Sequence, residues 1–270
     1  MRDEKELAYR YDLFITPDWR DRFDTLINEK IELPAEGRIL DLNCGTGAHA
    51  LEIAERLSKK GEVLGLDPKF ERIEIARAKA QVKKIEHVRF EQCSNTADLP
   101  FDSDYFDAVI GDASMAASGE IEGLIAEMIR VARPGARVVL KMSTHGSFDE
   151  FFSIYWEALH EIGIVDDIWE SLNEMINERS MVSSAETTAK RAGLRDVESF
   201  ISKEEFFYET GSEFINSPLI EDVFLKAWLA IIPEARHQEV LNRVVSIIER
   251  ERYAAPFDLS IKATLIAGYK

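Results

Sequence analysis

A short apolar run from Arg38 to Leu42 empties into Asn43-Cys44-Gly45-Thr46-Gly47, and from Ala48 onward Ala50, Leu51, Ala54 and Leu57 recur at helical spacing until Gly61. That order of strand, glycine loop and helix leaves few folds open. Glycines at a strand end let a ligand approach the backbone, and the helix behind them offers unbonded N–H groups in its first turn. A second apolar strand, Glu62 to Leu66, closes on Asp67-Pro68, and Ile73, Ala76, Ala80 and Lys84 trace a second helix, so a βαβ unit is complete.

The alternation continues. His87 to Cys93 reads as a third strand, Phe106 to Gly111 as a fourth, Ile121 to Ala132 as a helix, and Ala136 to Met142 as a fifth strand after the turn Arg133-Pro134-Gly135. Strands and helices in this rhythm predict an α/β fold, a Rossmann-like, seven-stranded, mostly parallel sheet with helices on both faces and a helical lid. Beyond Ser143 the pattern changes. Phe152, Tyr155, Trp156 and Leu159 mark a helix within Phe148 to Ile162, an acidic helix follows over Asp166 to Arg179, and Leu194 to Phe200 fits a sixth strand. Ile201 to Arg252 reads as helical, and Asp258 to Ile266 alternates as a last strand expected beside the fifth. The expected organisation is one domain over 1–270, with a cofactor-binding core at 37–143, lid segments at 148–190 and 201–256, and the last strand at 257–270.

Charge and residue counts narrow the function. With 33 Lys+Arg against 50 Asp+Glu the formal charge is -17, which repels a phosphate backbone, so no nucleic-acid partner is expected. The pairs Lys59-Lys60 and Lys83-Lys84 fall at helix ends, where they are solvated. No apolar run approaches the ~18 residues of a spanning helix and the start is charged, so no membrane span and a cytoplasmic location are expected. Cys44 and Cys93 end the first and third strands, roughly two interstrand spacings or about 10 Å apart, which excludes a disulfide. The histidines at 49, 87, 145, 160 and 237 show no metal-ligand spacing, so no metal is expected. There is no G-x-S-x-G elbow, and Ser114 or Ser143 with His145 forms no recognisable triad.

The stretch Gly45-Thr46-Gly47-Ala48-His49-Ala50 fits G-x-G-x-x-G/A, with Asp67 twenty residues past Gly47, where an acid meets a ribose. This pattern alone admits a nicotinamide dinucleotide. Asp41, immediately before the loop, argues against one, because a carboxylate there repels a pyrophosphate and attracts a ligand carrying an ammonium and a sulfonium.

The segment Leu40 to Gly47 resembles the first signature of class I S-adenosylmethionine-dependent methyltransferases, with Asn43 where that signature commonly has glycine. Asn tolerates the positive φ such a position requires. Asp67, then Asn95 to Phe101 with Phe106 to Val109, then Arg133-Pro134-Gly135, follow in order, and the series resembles the methyltransferase type 11 family over roughly 38 to 142 plus the last strand. The resemblance implies S-adenosylmethionine as cofactor and a small-molecule acceptor. It implies that Asp41 and the backbone of Cys44, Gly45 and Gly47 hold the methionyl end, that Asn43 belongs to the same cofactor site, that Asp67 accepts from the ribose hydroxyls, that Asn95 and Thr96 flank adenine, and that Asp112 borders the methyl group and the substrate.

Each of these residues also has a structural reading: Asp41 as a loop cap, Asp67 as an N-cap, Asn95 as a turn residue. By location, Asp112, His145 and Tyr11 are the candidate general bases. Tyr9, Tyr11 and Trp19 on an N-terminal helix either cover the cofactor or pack on the sheet, and the aromatic clusters around Phe151 and Phe207 form either core or an apolar acceptor pocket. The alternatives are a nicotinamide-dependent oxidoreductase and a non-catalytic S-adenosylmethionine-binding module; the oligomeric state is open.

Overall fold

The computed structural model describes residues 2–58, 60–116, 118–251 and 255–270; Lys59 of the first lysine pair and Arg252, the end of the long stretch read as helical, lie outside the described residues. The strands are β1 (Gly37–Leu42), β2 (Gly61–Asp67), β3 (Val88–Gln92), β4 (Phe106–Asp112), β5 (Ala132–Ser143), β6 (Arg195–Tyr208) and β7 (Phe257–Tyr269). The α-helices are α1 (Glu4–Arg10), α2 (Asp21–Lys30), α3 (Ala48–Arg56), α4 (Phe70–Lys83), α5 (Ser118–Val131), α6 (Asp149–Glu161), α7 (Val165–Asn177), α8 (Val182–Arg191), α9 (Gly211–Asn216), α10 (Leu225–Leu229) and α11 (His237–Glu251). A π-helical segment, Tyr11–Arg20, joins α1 to α2.

Contacts divide the chain into two compact units, Met1–Ser143 with Met181–Ser202 and Ala263–Lys270, and Thr144–Ser180 with Lys203–Lys262. In the first, the sheet runs β3-β2-β1-β4-β5-β7-β6. The first five are parallel neighbours, and β7 pairs antiparallel with β5, Ser143 opposite Ala263 through Arg137 opposite Tyr269. The order reverses between β1 and β4, the switch point outside whose carboxyl ends open α/β sheets bind ligands.

Period-two alternation sorts the strand residues onto two faces. Leu40, Val109 and Leu140 pack with Met128 and Ile125 of α5 and with Ala185 and Ala189 of α8. Ile39, Ile110 and Val139 pack with Ile27 of α2, Leu51 and Ala54 of α3, and Ile73 and Ala76 of α4.

The second unit holds α6, α7, α9, α10 and α11. Its core is aromatic: Phe151 stacks on Trp228 with ring centroids 4.0 Å apart, Phe148 meets Phe224 edge-on at 4.9 Å, and Phe214 meets Phe257 at 5.0 Å. The Tyr155 hydroxyl donates to the Trp228 carbonyl at 2.6 Å. The Phe151 cluster is therefore interior, while Trp156 and Phe207 are exposed.

Two expectations are corrected. Residues 201–208 are strand, because Phe206 and Tyr208 turn inward while Ile201, Lys203, Glu205 and Phe207 face out, a period of two that the apolar content of the segment disguised. Residues 182–190, placed among the lid segments, form α8, whose small Ala185 and Ala189 let it sit against the sheet in the first unit.

Candidate active site

On the face that carries Ile39, Ile110 and Val139, the next inward position of each strand is charged: Asp41 on β1, Asp112 on β4 and Lys141 on β5. Asp112 is paired directly opposite Lys141 in the sheet register. Helices on that face bring Arg20, Asp24 and His49. All six are nearly inaccessible, at 0 to 6% exposure. Isolated buried charges are costly, so their pairing decides whether the fold stands. Lys141 Nζ donates to Asp24 Oδ1 at 2.7 Å and lies 3.4 Å from Asp112 Oδ2, Arg20 Nη2 lies 3.2 Å from that same oxygen, and His49 Nδ1 is 3.5 Å from Asp24 Oδ1.

The electrostatics differ from one carboxylate to the next. Burial alone would lift Asp112, but Arg20, Lys141 and two hydrogen bonds to its Oδ1 from Ser114, N at 2.8 Å and Oγ at 2.6 Å, outweigh it and hold the carboxyl at about 2. Asp24 is lowered in the same way, by His49, Lys141 and Arg20 against burial. Asp41 is raised, because burial exceeds the pull of Lys141, His49 and Arg20, and neither of its oxygens has a hydrogen-bond partner.

The loop after β1 behaves as its sequence predicts. Asn43 holds φ 58°, Gly45 60° and Gly47 78°, the left-handed region where glycine and asparagine are favoured. Asn43 fixes its turn by donating from Nδ2 to the Asp112 carbonyl at 2.8 Å. A Cβ on Gly47 would meet Phe90 at 2.7 Å and Ala76 at 2.8 Å, so that glycine lets the loop seat against β3 and α4. Gly45 faces the other way, toward Tyr11 and Arg20. Asp67, at the end of β2, accepts from Gly45 N on Oδ2 and from Lys69 N on Oδ1, both at 2.9 Å, and burial raises its pKa.

The π-helical segment roofs this loop. Its wider turn carries Asp12, Thr16, Trp19 and Arg20 onto the strand ends: Thr46 Oγ1 donates to Asp12 Oδ1 at 2.5 Å, Lys79 Nζ to the same oxygen at 2.6 Å, and Trp19 Nε1 to Ser114 Oγ at 2.9 Å. Arg20 Nη1 donates to Tyr11 Oη at 3.0 Å, and the Arg72 guanidinium lies 3.7 Å above the Tyr11 ring. Of the N-terminal aromatics, Trp19 is buried with Phe23, Tyr11 reaches the loop beside Gly45, and Tyr9 is exposed.

Beneath this roof is a cavity of 290 Å³ whose wall includes Tyr11, Arg20, Asn43, Asp67, Thr96 and Asp112. Four of the sequence-derived cofactor residues meet there. Gly45 adjoins it through Tyr11 and Arg20, whereas Asp41 is buried beneath the loop and Cys44 and Gly47 are buried within it. Asn95 is exposed and its Oδ1 accepts from Ala97 N at 3.1 Å, an Asx turn. Burial pushes the Cys44 thiol well up, so it is packing rather than nucleophile, and both cysteines are free. Of the three candidate bases, Tyr11 and Asp112 line the cavity, and His145 is exposed in the second unit. A larger groove of 830 Å³ between α1 and α4 is lined by surface residues such as Tyr9, Phe70 and Val82 and holds none of these groups.

Sequence reasoning did not identify Arg20, Asp24 or Lys141. One signal was available: Lys141 interrupts an apolar strand at an inward position, where a charge requires partners. Among the described residues no cluster of His, Cys, Asp and Glu is arranged to hold a metal, and no helix is long and apolar enough to cross a membrane.

The family model described as a methyltransferase domain matches residues 34–179. A demethylmenaquinone methyltransferase of Thermus thermophilus is 35% identical over 164 residues, 57% of this chain and 71% of that one. One from Lactococcus lactis is 32% identical over 122 residues, 44% of this chain, and there the match spans about half (48%) of the relative's length. The crystal structure of the YcgJ protein of Bacillus subtilis superposes with a TM-score of 0.60 at 21% identity, covering 93% of this chain and 98% of that one, a likeness of fold. With the ordered signatures and the sheet reversal at β1 and β4, these matches identify the chain as a member of the class I S-adenosylmethionine-dependent methyltransferase family.

Proposed function

We propose that the chain transfers the methyl group of S-adenosylmethionine to a small-molecule acceptor, with the cofactor seated in the cavity at the ends of β1, β2 and β4. The observation that carries this reading is the charge of the cavity wall. Asp112 presents a carboxylate beside the glycine loop, where a dinucleotide would place its phosphates, and its attraction for a sulfonium ligand matches the family. In this reading Asp67 keeps acceptor capacity for ribose hydroxyls beyond its two backbone hydrogen bonds, and Thr96 borders adenine. Asp41 contributes its field from below the loop.

The cofactor supplies an electrophilic methyl group on sulfur; the protein's task is to hold a nucleophile in line with it at roughly 3 Å. Asp112, ionised down to about pH 2 by Arg20 and Lys141, is a fixed negative charge facing that centre and too weak a base to remove a proton at neutral pH. The Tyr11 oxygen accepts from Arg20, which directs its own proton outward as a hydrogen-bond donor to the acceptor molecule. The names of the relatives make a hydroxylated aromatic ring of the quinol type the first acceptor class to assay.

Isothermal titration with S-adenosylmethionine, S-adenosylhomocysteine and NAD tests the reading. Micromolar binding of the two sulfur ligands without NAD supports it; binding of NAD alone overturns it. Sulfur-ligand binding with no turnover across an acceptor panel would favour the non-catalytic module.

A further inference from the structure

The six ionisable side chains beneath the glycine loop do not balance. Asp24, Asp41 and Asp112 stand against the permanent cations Arg20 and Lys141, which leaves one negative charge uncompensated in a nearly inaccessible cluster. An uncompensated ion so far from water is costlier than its protonated form. Two groups can carry that proton. Against burial, Arg20 and Lys141 hold Asp112 ionised down to about 2, and His49 and Lys141 lower Asp24 in the same way. Burial raises Asp41, both of whose oxygens lack a hydrogen-bond partner. His49, in the first turn of α3, places Nδ1 3.5 Å from Asp24 Oδ1 and makes no hydrogen bond through Nε2. The groups around this set have partners of their own or face water. Asp67 has Arg72 at 3.9 Å, Glu52 pairs with Arg56, Lys79 with Asp12, and Asp21 is exposed. The Tyr11 hydroxyl accepts from Arg20, and burial pushes the Cys44 thiol well up, so it stays neutral.

We propose that this cluster holds one exchangeable proton, shared between Asp41 and His49, and that S-adenosylmethionine expels it whereas S-adenosylhomocysteine does not. The proposal rests on the cofactor reading above and adds a regulation to it. Two of the six groups, Arg20 and Asp112, belong to the cavity wall, so the cluster is the low-dielectric neighbour of whatever binds there. S-adenosylmethionine, with an ammonium, a carboxylate and a sulfonium, carries one net positive charge; in S-adenosylhomocysteine the sulfur is neutral and the net charge is zero. A positive charge seated in this wall offsets the excess negative charge that the proton offset before, and the proton passes to the buffer. Cluster and ligand together are then neutral in either state. Methyl transfer removes the positive charge from sulfur, and the cluster takes a proton back. The coupling is reciprocal: raising the pH strips the proton and favours the sulfonium ligand, whereas acidification fills the cluster and favours the neutral thioether. The balance between cofactor and product on the protein is thereby tied to pH by groups that touch neither.

Titration calorimetry of the full chain below pH 7, where the α-ammonium of both ligands is charged, repeated in buffers of different ionisation enthalpy, counts the protons exchanged with each ligand. S-adenosylmethionine should release about half a proton per site or more at the most responsive pH, and S-adenosylhomocysteine close to none. The ratio of the two affinities should rise with pH in favour of S-adenosylmethionine, by up to about tenfold per pH unit, the limit for one proton. Asp41→Asn leaves two carboxylates against two cations, so the extra release and the rise should both vanish. His49→Gln leaves the proton a single site and should move the rise to lower pH; a rise it does not move would overturn the sharing. Equal proton counts for the two ligands in the wild type, with an affinity ratio flat in pH, overturn the proposal and leave the cofactor reading standing, as does an extra release that survives Asp41→Asn. The wild-type counts decide the matter if a variant fails to fold. Failure of the wild type to bind either ligand would overturn the cofactor reading itself, and the proposal with it.

Discussion

Two interiors of this molecule are built from opposite materials. Beneath the glycine loop the protein buries six ionisable side chains at the ends of three strands, whereas the second unit buries rings, with Phe148, Phe151, Phe152, Tyr155, Phe214 and Trp228 almost wholly withdrawn from solvent. Aromatic surface gains stability from burial without regard to partner. Buried charge gains little over an apolar replacement, and its loss when half-removed is large. The aromatic interior is what a fold requires; the charged one makes sense only if something else depends on it, and its position at the sheet's switch point says what that is.

Truncation tests whether the two interiors fail in different ways. Phe151→Ala removes the ring stacked on Trp228 and should cost about 3 to 5 kcal/mol in denaturant-induced unfolding. Its defect should be the same at pH 5 and pH 8, since no titrating group is involved.

Lys141→Met should cost about 3 kcal/mol at neutral pH by stranding Asp24 and Asp112. Here pH matters. Both carboxyls have depressed folded-state pKa values, so their stabilisation is present above the ordinary carboxylate range and is lost as pH falls through the folded values. The gap between wild type and Lys141→Met should therefore narrow on acidification. A Lys141→Met defect as flat with pH as that of Phe151→Ala would break the contrast.

The contrast also explains what could be read from the residues. The glycine loop, Asn43 with its positive φ, Asp67 and the first five strands were legible because each is a local matter: periodicity, turn chemistry and position in a βαβ unit. The last strand was equally clear from its alternation, and its place beside β5 was foreseen. Arg20 and Asp24 were invisible, since their partners lie 92 and 117 positions away, at Asp112 and Lys141, and a helical arginine reads as a solvated face until the sheet order is known. The Phe151 cluster showed helical spacing without saying which rings face inward, and Trp156 beside Tyr155 shows how quickly that changes along a helix. The first half of β6 was read at Leu194 to Phe200, but its second half, 201–208, was lost for a similar reason, because an outward Phe207 between inward Phe206 and Tyr208 blurs the alternation.

At the edge of the charged region, Asp67→Ala separates ligand binding from folding. If two ribose hydroxyls lose a charged acceptor, affinity for S-adenosylhomocysteine should fall by about 1 to 3 kcal/mol. Unchanged affinity in titration would remove Asp67 from the site and leave it a loop fastener through Gly45 N and Lys69 N.

The smallest expected effect is the most pointed. Asp41 is the one member of the cluster whose carboxyl is raised, and neither oxygen is hydrogen-bonded. A carboxyl with a raised folded-state pKa binds its proton more tightly in the folded state, so the stability it contributes is present below its ordinary pKa and lost as pH rises through the folded value. At neutral pH the ionised form is therefore a burden on the fold, and Asp41→Asn, nearly the same shape without the charge, should raise the melting temperature, with the gain shrinking as the pH is lowered into the carboxylate range. The same substitution should weaken S-adenosylmethionine, with its sulfonium, more than the uncharged thioether S-adenosylhomocysteine, because it removes negative potential below the loop. A variant that gains stability and loses this preference would show that the charge under the glycines is kept for the ligand. A variant that loses stability would place Asp41 among the structural partners of Lys141, and the charged interior would then be closer in kind to the aromatic one than its composition suggests.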